Sequence, residues 1–205
     1  MADANLITLI HAIVAGDEAA ATAQVKAQPH LARASLTQGA TRERAGDFFM
    51  PDILRYRMVG DTALHIAAAA YRVGIIRALL AAGADVRVRN RRGATPLHDA
   101  ATGVPGSAYW APAAQAEAIQ ILIAAGADAN ALDKGGTAPL HRAVRTRCAR
   151  AVEALLDGGA DPKLKTKSGT TLITLATLAT GRSSSGLPEA KIEQAEILHL
   201  LEAVV

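Results

Sequence analysis

The stretch Gly93-Ala94-Thr95-Pro96-Leu97-His98-Asp99-Ala100-Ala101 decides the fold, because altered copies of it recur along the chain. Gly60-Asp61-Thr62-Ala63-Leu64-His65-Ile66-Ala67-Ala68 lies 33 residues earlier. Gly136-Thr137-Ala138-Pro139-Leu140-His141 lies 43 residues later, and a worn copy, Gly169-Thr170-Thr171-Leu172-Ile173-Thr174, follows at 33 again. A second motif keeps the same intervals. Gly83-Ala84-Asp85, Gly126-Ala127-Asp128 and Gly159-Ala160-Asp161 are separated by 43 and then 33 residues, so ten additional residues lie inside one unit. Two linked motifs at one spacing define a repeat, and such a period belongs to architectures whose units bury their apolar faces only against their neighbours.

A 33-residue period opened by Thr-Pro-Leu-His is the signature of ankyrin repeats, each a β-turn followed by two helices. The chain resembles that family over roughly residues 5–205. The resemblance implies an all-α solenoid of about five stacked helix-turn-helix units with β-turn fingers, three insertions and a concave binding face. The expected organisation is a single domain, 1–205. It comprises an N-terminal capping repeat (1–30), a long basic and aromatic insertion (31–59), repeats at 60–92, 93–135 and 136–168, and a C-terminal capping repeat (169–205).

Working outward, residues 6–28 carry apolar residues at helical spacing around Gly16-Asp17-Glu18, and aligning Gly16 with Tyr71 exposes 22 residues beyond one period. That excess is the 31–59 insertion, which holds Arg33, Arg42, Arg44, Arg55 and Arg57 together with Phe48, Phe49, Met50, Ile53, Leu54 and Tyr56. It is expected at the finger position between units one and two. In the unit starting at Gly60, helices are predicted near 63–70 and 75–82, with Leu64, Ala67, Ile76, Leu79 and Leu80 in the core. The second insertion, 102–112, precedes a helix opened by Pro112, where a missing N–H is harmless. The third, 177–187, precedes one opened by Pro188. These two loops are expected along one lip of the solenoid, opposite the basic fingers.

Half of the 205 residues are apolar but only 3% are aromatic, which suits helices whose alanine faces allow close approach. The start Met1-Ala2-Asp3-Ala4-Asn5 lacks a basic segment of the kind that opens a signal peptide, and no run of about 18 apolar residues is present. A single Cys148 excludes an intramolecular disulfide framework and leaves a metal–thiolate cluster without partners. The reading is a cytoplasmic, monomeric, non-enzymatic protein with Cys148 as a buried thiol.

Three of the six histidines, His65, His98 and His141, occupy matched positions. In the pattern that Thr62/His65, Thr95/His98 and Ala138/His141 resemble, the imidazole links its own turn to the neighbouring unit. Rings on units stacked roughly 10 Å apart cannot share a metal that needs ligands at about 2.1 Å. Neighbours on a helix point about 100° apart, so His98-Asp99 is no dyad. No phosphate loop, nucleophile elbow or zinc spacing appears, and no cofactor or metal is expected.

Function is expected in the fingers. The segments 86–92, 129–135, 162–168 and 31–59 carry +4, 0, +3 and +2, nine in all against +3 for the whole chain, leaving −6 elsewhere. Alternation along an extended arm turns Val88, Ala131 and Leu164 inward and the basic residues outward. The resemblance implies contacts from residues flanking the repeat glycine and from late first-helix positions. Here those are Arg91, Arg92, Ala94 and Thr102; Lys134, Gly135, Thr137, Arg145 and Thr146; and Lys167, Ser168 and Thr170. With Arg87, Arg89 and Lys165 from the same fingers, the set suits a protein partner with an acidic surface, since arginine forks onto carboxylates. Tyr109 and Trp110 either seal the 102–112 loop or form a hot spot. Nucleic-acid binding through the same arginines is one alternative, consistent with a pI near 9.2 but lacking interleaved aromatics outside 31–59, and a non-catalytic subunit of an enzyme complex is the other.

Overall fold

Helix pairs follow one another at the predicted intervals in the computed structural model, which describes residues 2–178 and 188–204. The first helices of the five units are α1 (Ala2–Ala15), α3 (Ala63–Ala69), α5 (Pro96–Ala100), α7 (Pro139–Thr146) and α9 (Leu172–Thr177). The second helices are α2 (Glu18–Ala27), α4 (Val73–Ala81), α6 (Pro112–Ala124), α8 (Ala149–Asp157) and α10 (Pro188–Glu202). Each first helix packs on the next first helix, and each second helix on the next second helix, giving two parallel rows. Pro112 and Pro188 open their helices as the sequence predicts.

Alanine sets the spacing of the rows. Ala63, Ala67, Ala68, Ala100, Ala101, Ala118, Ala143, Ala149 and Ala151 are fully buried, and the larger Leu64, Ile76, Leu79, Leu97, Ile119, Leu122 and Leu155 fill the layers between them. Leu80 differs from expectation: it is half-buried, while Ile75 is fully enclosed. The second helix starts at Val73, which turns residue 75 to the inside.

The turn joining the two helices of a unit requires a left-handed residue. Gly16 (φ 75°), Tyr71 (φ 55°) and Arg147 (φ 59°) hold that position, so the alignment of Gly16 with Tyr71 is structural. A side chain there costs about 1–2 kcal/mol, and both non-glycine residues offset it with specific bonds. The Tyr71 hydroxyl donates to the Thr102 carbonyl at 2.5 Å, and Arg147 donates to the Gln194 side chain and the Leu178 carbonyl.

The 31–59 insertion begins as a finger and then leaves that position. Leu36 and Gly60 exchange backbone bonds with Asp61 and Leu36, and Ser35 bridges Thr62, so its base lies beside the second unit's turn. Beyond Ala40 the chain folds into a small antiparallel hairpin, β1 (Phe49–Met50) and β2 (Arg55–Tyr56), with Phe49 opposite Tyr56. The hairpin reaches across to α5 through Arg55. The base of the insertion thus lies at the expected finger position, while its hairpin extends beyond it to Asp99 on α5. The expected loop at Gly181–Gly186 lies outside the described residues.

Candidate partner-binding groove

The turns preceding α3 and α5 are fixed by a threonine and a histidine, and the turn preceding α7 by His141 with Ala138 in the threonine's place. Nδ1 of His65 accepts the Thr62 N–H at 3.2 Å, and Nδ1 of His98 accepts the Thr95 N–H at 3.1 Å. Those bonds place the proton on Nε2, which donates to Ala94 O (3.1 Å) from His65, Thr137 O (3.0 Å) from His98 and Leu164 O (3.0 Å) from His141. The rings of His65 and His98 therefore span from their own helices to the next unit, as the resemblance implies, whereas His141 ties its helix to the finger of its own unit. Burial and the nearby Arg142 charge push His98 down to about 4, which keeps it neutral and able to accept. His141 is shifted the same way by burial.

On this base stands an ion-pair ladder that sequence reasoning did not find. Asp61 is fully buried and accepts three hydrogen bonds, from Arg55 (3.2 Å), the Met58 N–H (2.8 Å) and the Asn90 amide (2.8 Å), with a second Arg55 nitrogen in ion-pair contact at 3.1 Å. Arg55 also pairs with Asp99 at 2.6 Å; Asp99 meets Arg142 at 3.5 Å; Arg142 meets Asp133 at 2.8 Å. Insertion, second unit, third unit and fourth unit are thereby joined by alternating charges. Burial alone would push the Asp61 carboxyl up, but Arg55, the Met58 N–H and Asn90 outweigh it and hold it below the usual range. Asp133 shows the same balance, burial against Arg142 and the Thr137 and Gly135 N–H groups, with the same outcome. The available signal was Asp99 itself: a carboxylate on an otherwise apolar helix face needs a cation.

Asp61, His65 and Asp99 bring three potential ligand atoms within 4.8 Å of one another. The carboxylates are already engaged by Arg55, and the ring accepts the Thr62 N–H at Nδ1 and donates to Ala94 O from Nε2, so the cluster is a structural knot.

The ladder floors a groove of about 720 Å³. Its sides are the hairpin (Ile53, Leu54, Arg55, Tyr56), the fingers (Asn90, Arg91, Arg92 and Asp133, Lys134, Gly135), the late first-helix positions Thr102, Arg145 and Thr146, and the loop residues Val104 and Tyr109. Of the residues expected to bind a partner, the fold brings together Arg91, Arg92, Thr102, Tyr109, Lys134, Thr137 and Arg145. Lys165 and Lys167 stand exposed on the next finger, outside the groove. Arg87 donates to Gly126 O at 3.0 Å, and Arg89 donates to Gly93 O and Leu132 O at 2.9 and 2.6 Å. These two are inter-unit clamps whose guanidinium groups are already engaged, which sequence reasoning read simply as outward charge. Arg91 is likewise tied to Ala40 O at 2.7 Å while lining the groove.

The 102–112 loop is sealed against the helices. Trp110 donates to Gln115, whose amide donates to Ala100 O, and Tyr109 stacks on Tyr71 with ring centroids 6.0 Å apart. A Cβ on Gly103 would sit 2.6 Å from Cys148 Sγ and 3.2 Å from Trp110, so the loop closes directly over the thiol. Cys148 is buried as expected, and burial pushes it up to about 11, far from the thiolate form a nucleophile requires. Among the described residues no helix is long and apolar enough to cross a membrane.

Residues 9–110 match the family profile described as ankyrin repeats (3 copies), and residues 122–176 match the one described as ankyrin repeats (many copies). No curated protein matches the chain. Proteins built of these repeats are generally protein–protein interaction modules, typically without enzymatic activity. The period, the stacked helix rows, the histidine links and the profile matches establish that the chain belongs to the ankyrin-repeat family.

Proposed function

We propose that this protein is a non-enzymatic, cytoplasmic and monomeric interaction module whose units act as one domain and bind an acidic protein segment. The contact surface is the groove between the fingers of units two and three and the first helices of units three and four. One observation carries the reading: the groove lining holds six cations (Arg55, Arg91, Arg92, Lys134, Arg142 and Arg145) against two carboxylates, Asp99 and Asp133. Arg55 and Arg142 are engaged by these two carboxylates and by the buried Asp61, so a net surplus of three positive charges stands in a partly enclosed space, where field and ligand charge act most strongly. Arg92 and Lys134, exposed at the finger tips, are the cations placed to meet incoming carboxylates; Arg91, Arg145, Thr102 and Thr137 complete the contact.

The test is fluorescence anisotropy of a labelled glutamate-rich decapeptide, a lysine-rich control and a single-stranded oligonucleotide. The acidic peptide should bind and lose at least ten-fold in affinity on Arg92→Glu/Lys134→Glu, with helicity and melting temperature unchanged. Tighter binding of the oligonucleotide, with the same loss in the variant, would replace this reading with nucleic-acid recognition.

A further inference from the structure

Leu54 is the groove residue that the fold does not explain. It ends the short turn Pro51–Ile53 at φ 46° and ψ 41°, a left-handed conformation that turns normally give to glycine or asparagine. It is nevertheless 47% exposed, so burial does not compensate for the strain. Tyr56, two residues on, is 41% exposed and packs on Phe49 with ring centroids 4.8 Å apart. Between them Arg55 is fastened to Asp61 and Asp99, which anchors this stretch of the hairpin at the groove edge. An exposed apolar pair beside a cationic wall, one member of it on strained backbone, has the composition of an interface anchor.

We infer that the occupant of the groove is a single extended acidic segment carrying one large apolar side chain, seated on Leu54 and Tyr56 while its carboxylates meet Arg92 and Lys134. This deepens, and rests on, the acidic-segment reading above. Its extended form follows from the hairpin. By reaching from the insertion to Asp99 on α5, the hairpin walls one side of the space beside the first helices and narrows it to a groove. What remains is a volume of about 720 Å³, within the range of about 300–1,000 Å³ of sites that enclose small ligands. The apolar seat also supplies specificity that charge alone lacks, because long-range attraction steers any anion whereas a fitted side chain selects a sequence.

Random octapeptides displayed on phage and panned on the immobilised full chain test this. The expected enrichment is two or more Asp or Glu residues with one Phe, Leu, Met or Trp at a fixed offset. Repanning on Leu54→Ser/Tyr56→Ser should keep the acidic residues and lose the apolar one. A second variant, Leu54→Gly, suits the left-handed backbone while removing the seat. It should melt no lower than the parent yet bind the selected peptide at least ten-fold more weakly. Enrichment of acidic residues without an apolar one, or full affinity in Leu54→Gly, overturns this inference and leaves the acidic-segment reading standing. Enrichment of neutral or basic sequences, or none, overturns both.

Discussion

Replacing Arg55 with methionine probes the ladder, and its cost follows from the environment of three groups. The Arg55 side chain is 15% exposed, Asp61 0% and Asp99 8%, so the substitution strands two carboxylates in a desolvated space. Removing one partner of a buried pair costs about 3–5 kcal/mol. Here Asp61 keeps the Asn90 amide and the Met58 N–H, and Asp99 keeps Arg142, which places the expected loss near the lower end, about 3 kcal/mol. The charge argument makes a second, sharper statement. Adding Asp61→Asn and Asp99→Asn to Arg55→Met neutralises what was stranded and should recover part of that loss, since a deleted network is cheaper than a broken one. Urea unfolding at pH 7, followed by circular dichroism, measures both. A loss under about 0.5 kcal/mol, the scale of an exposed pair, refutes the ladder as a stabilising element. A triple variant less stable than Arg55→Met alone refutes the stranded-charge account.

Lowering the pH should weaken the solenoid before its carboxylates titrate. His98 is pushed down to about 4 in the fold against 6.5 unfolded, so its contribution is complete above pH 6.5 and lost as pH falls to 4, on the order of 3 kcal/mol, with His141 acting in the same direction; melting temperatures flat between pH 7 and 4.5 would contradict this. Leu97, fully buried between layers, should cost about 2–5 kcal/mol on change to alanine, read by urea unfolding, and a few tenths would mean the layer tolerates its loss. Gly103→Ala forces a methyl group to 2.6 Å from Cys148 Sγ and should cost about 1–3 kcal/mol, with Gly103→Ala/Cys148→Ala recovering part of it in thermal melts.

The repeat architecture was legible because it is written locally. Thr95-Pro96-Leu97-His98 specifies a turn, a first helical proline, a core leucine and an imidazole bonded to Thr95 of its own turn and to a backbone carbonyl of the next unit, so no distant side chain is needed to interpret it. The helix ends at Gly83, Gly126 and Gly159 are local for the same reason: all three have φ near +90° and close their helices without a Cβ penalty. The groove was less legible because its wall comes from an insertion outside the period. Nothing in the spacing of Arg55 says that it will cross 44 residues of sequence to Asp99, and charge counting placed it among outward-facing basic residues. What the sequence did contain was the need rather than the match: Asp61 and Asp99 on buried faces each required a cation.

The positive charge of the fingers has to serve two purposes. Arg33 donates to Gly83 O, Arg87 to Gly126 O and Asn130 to Gly159 O, so the same hydrogen bond from one unit to the helix end of the next is made three times along the stack. These are nearest-neighbour terms of the kind that hold a quasi-one-dimensional protein together, and a guanidinium on a helix C-terminus also meets the negative end of the dipole. Asn130 makes the bond without charge, which shows that the link requires a donor and not a cation. Basicity at Arg33 and Arg87 is therefore compatible with a purely architectural role. Arg92 and Lys134 are different, since their exposed side chains line the groove on the side facing the hairpin. Arg92 on the second unit's finger and Lys134 on the third's lie beside the first helices of units three and four, where the hairpin, the ladder and the sealed 102–112 loop give the groove its walls.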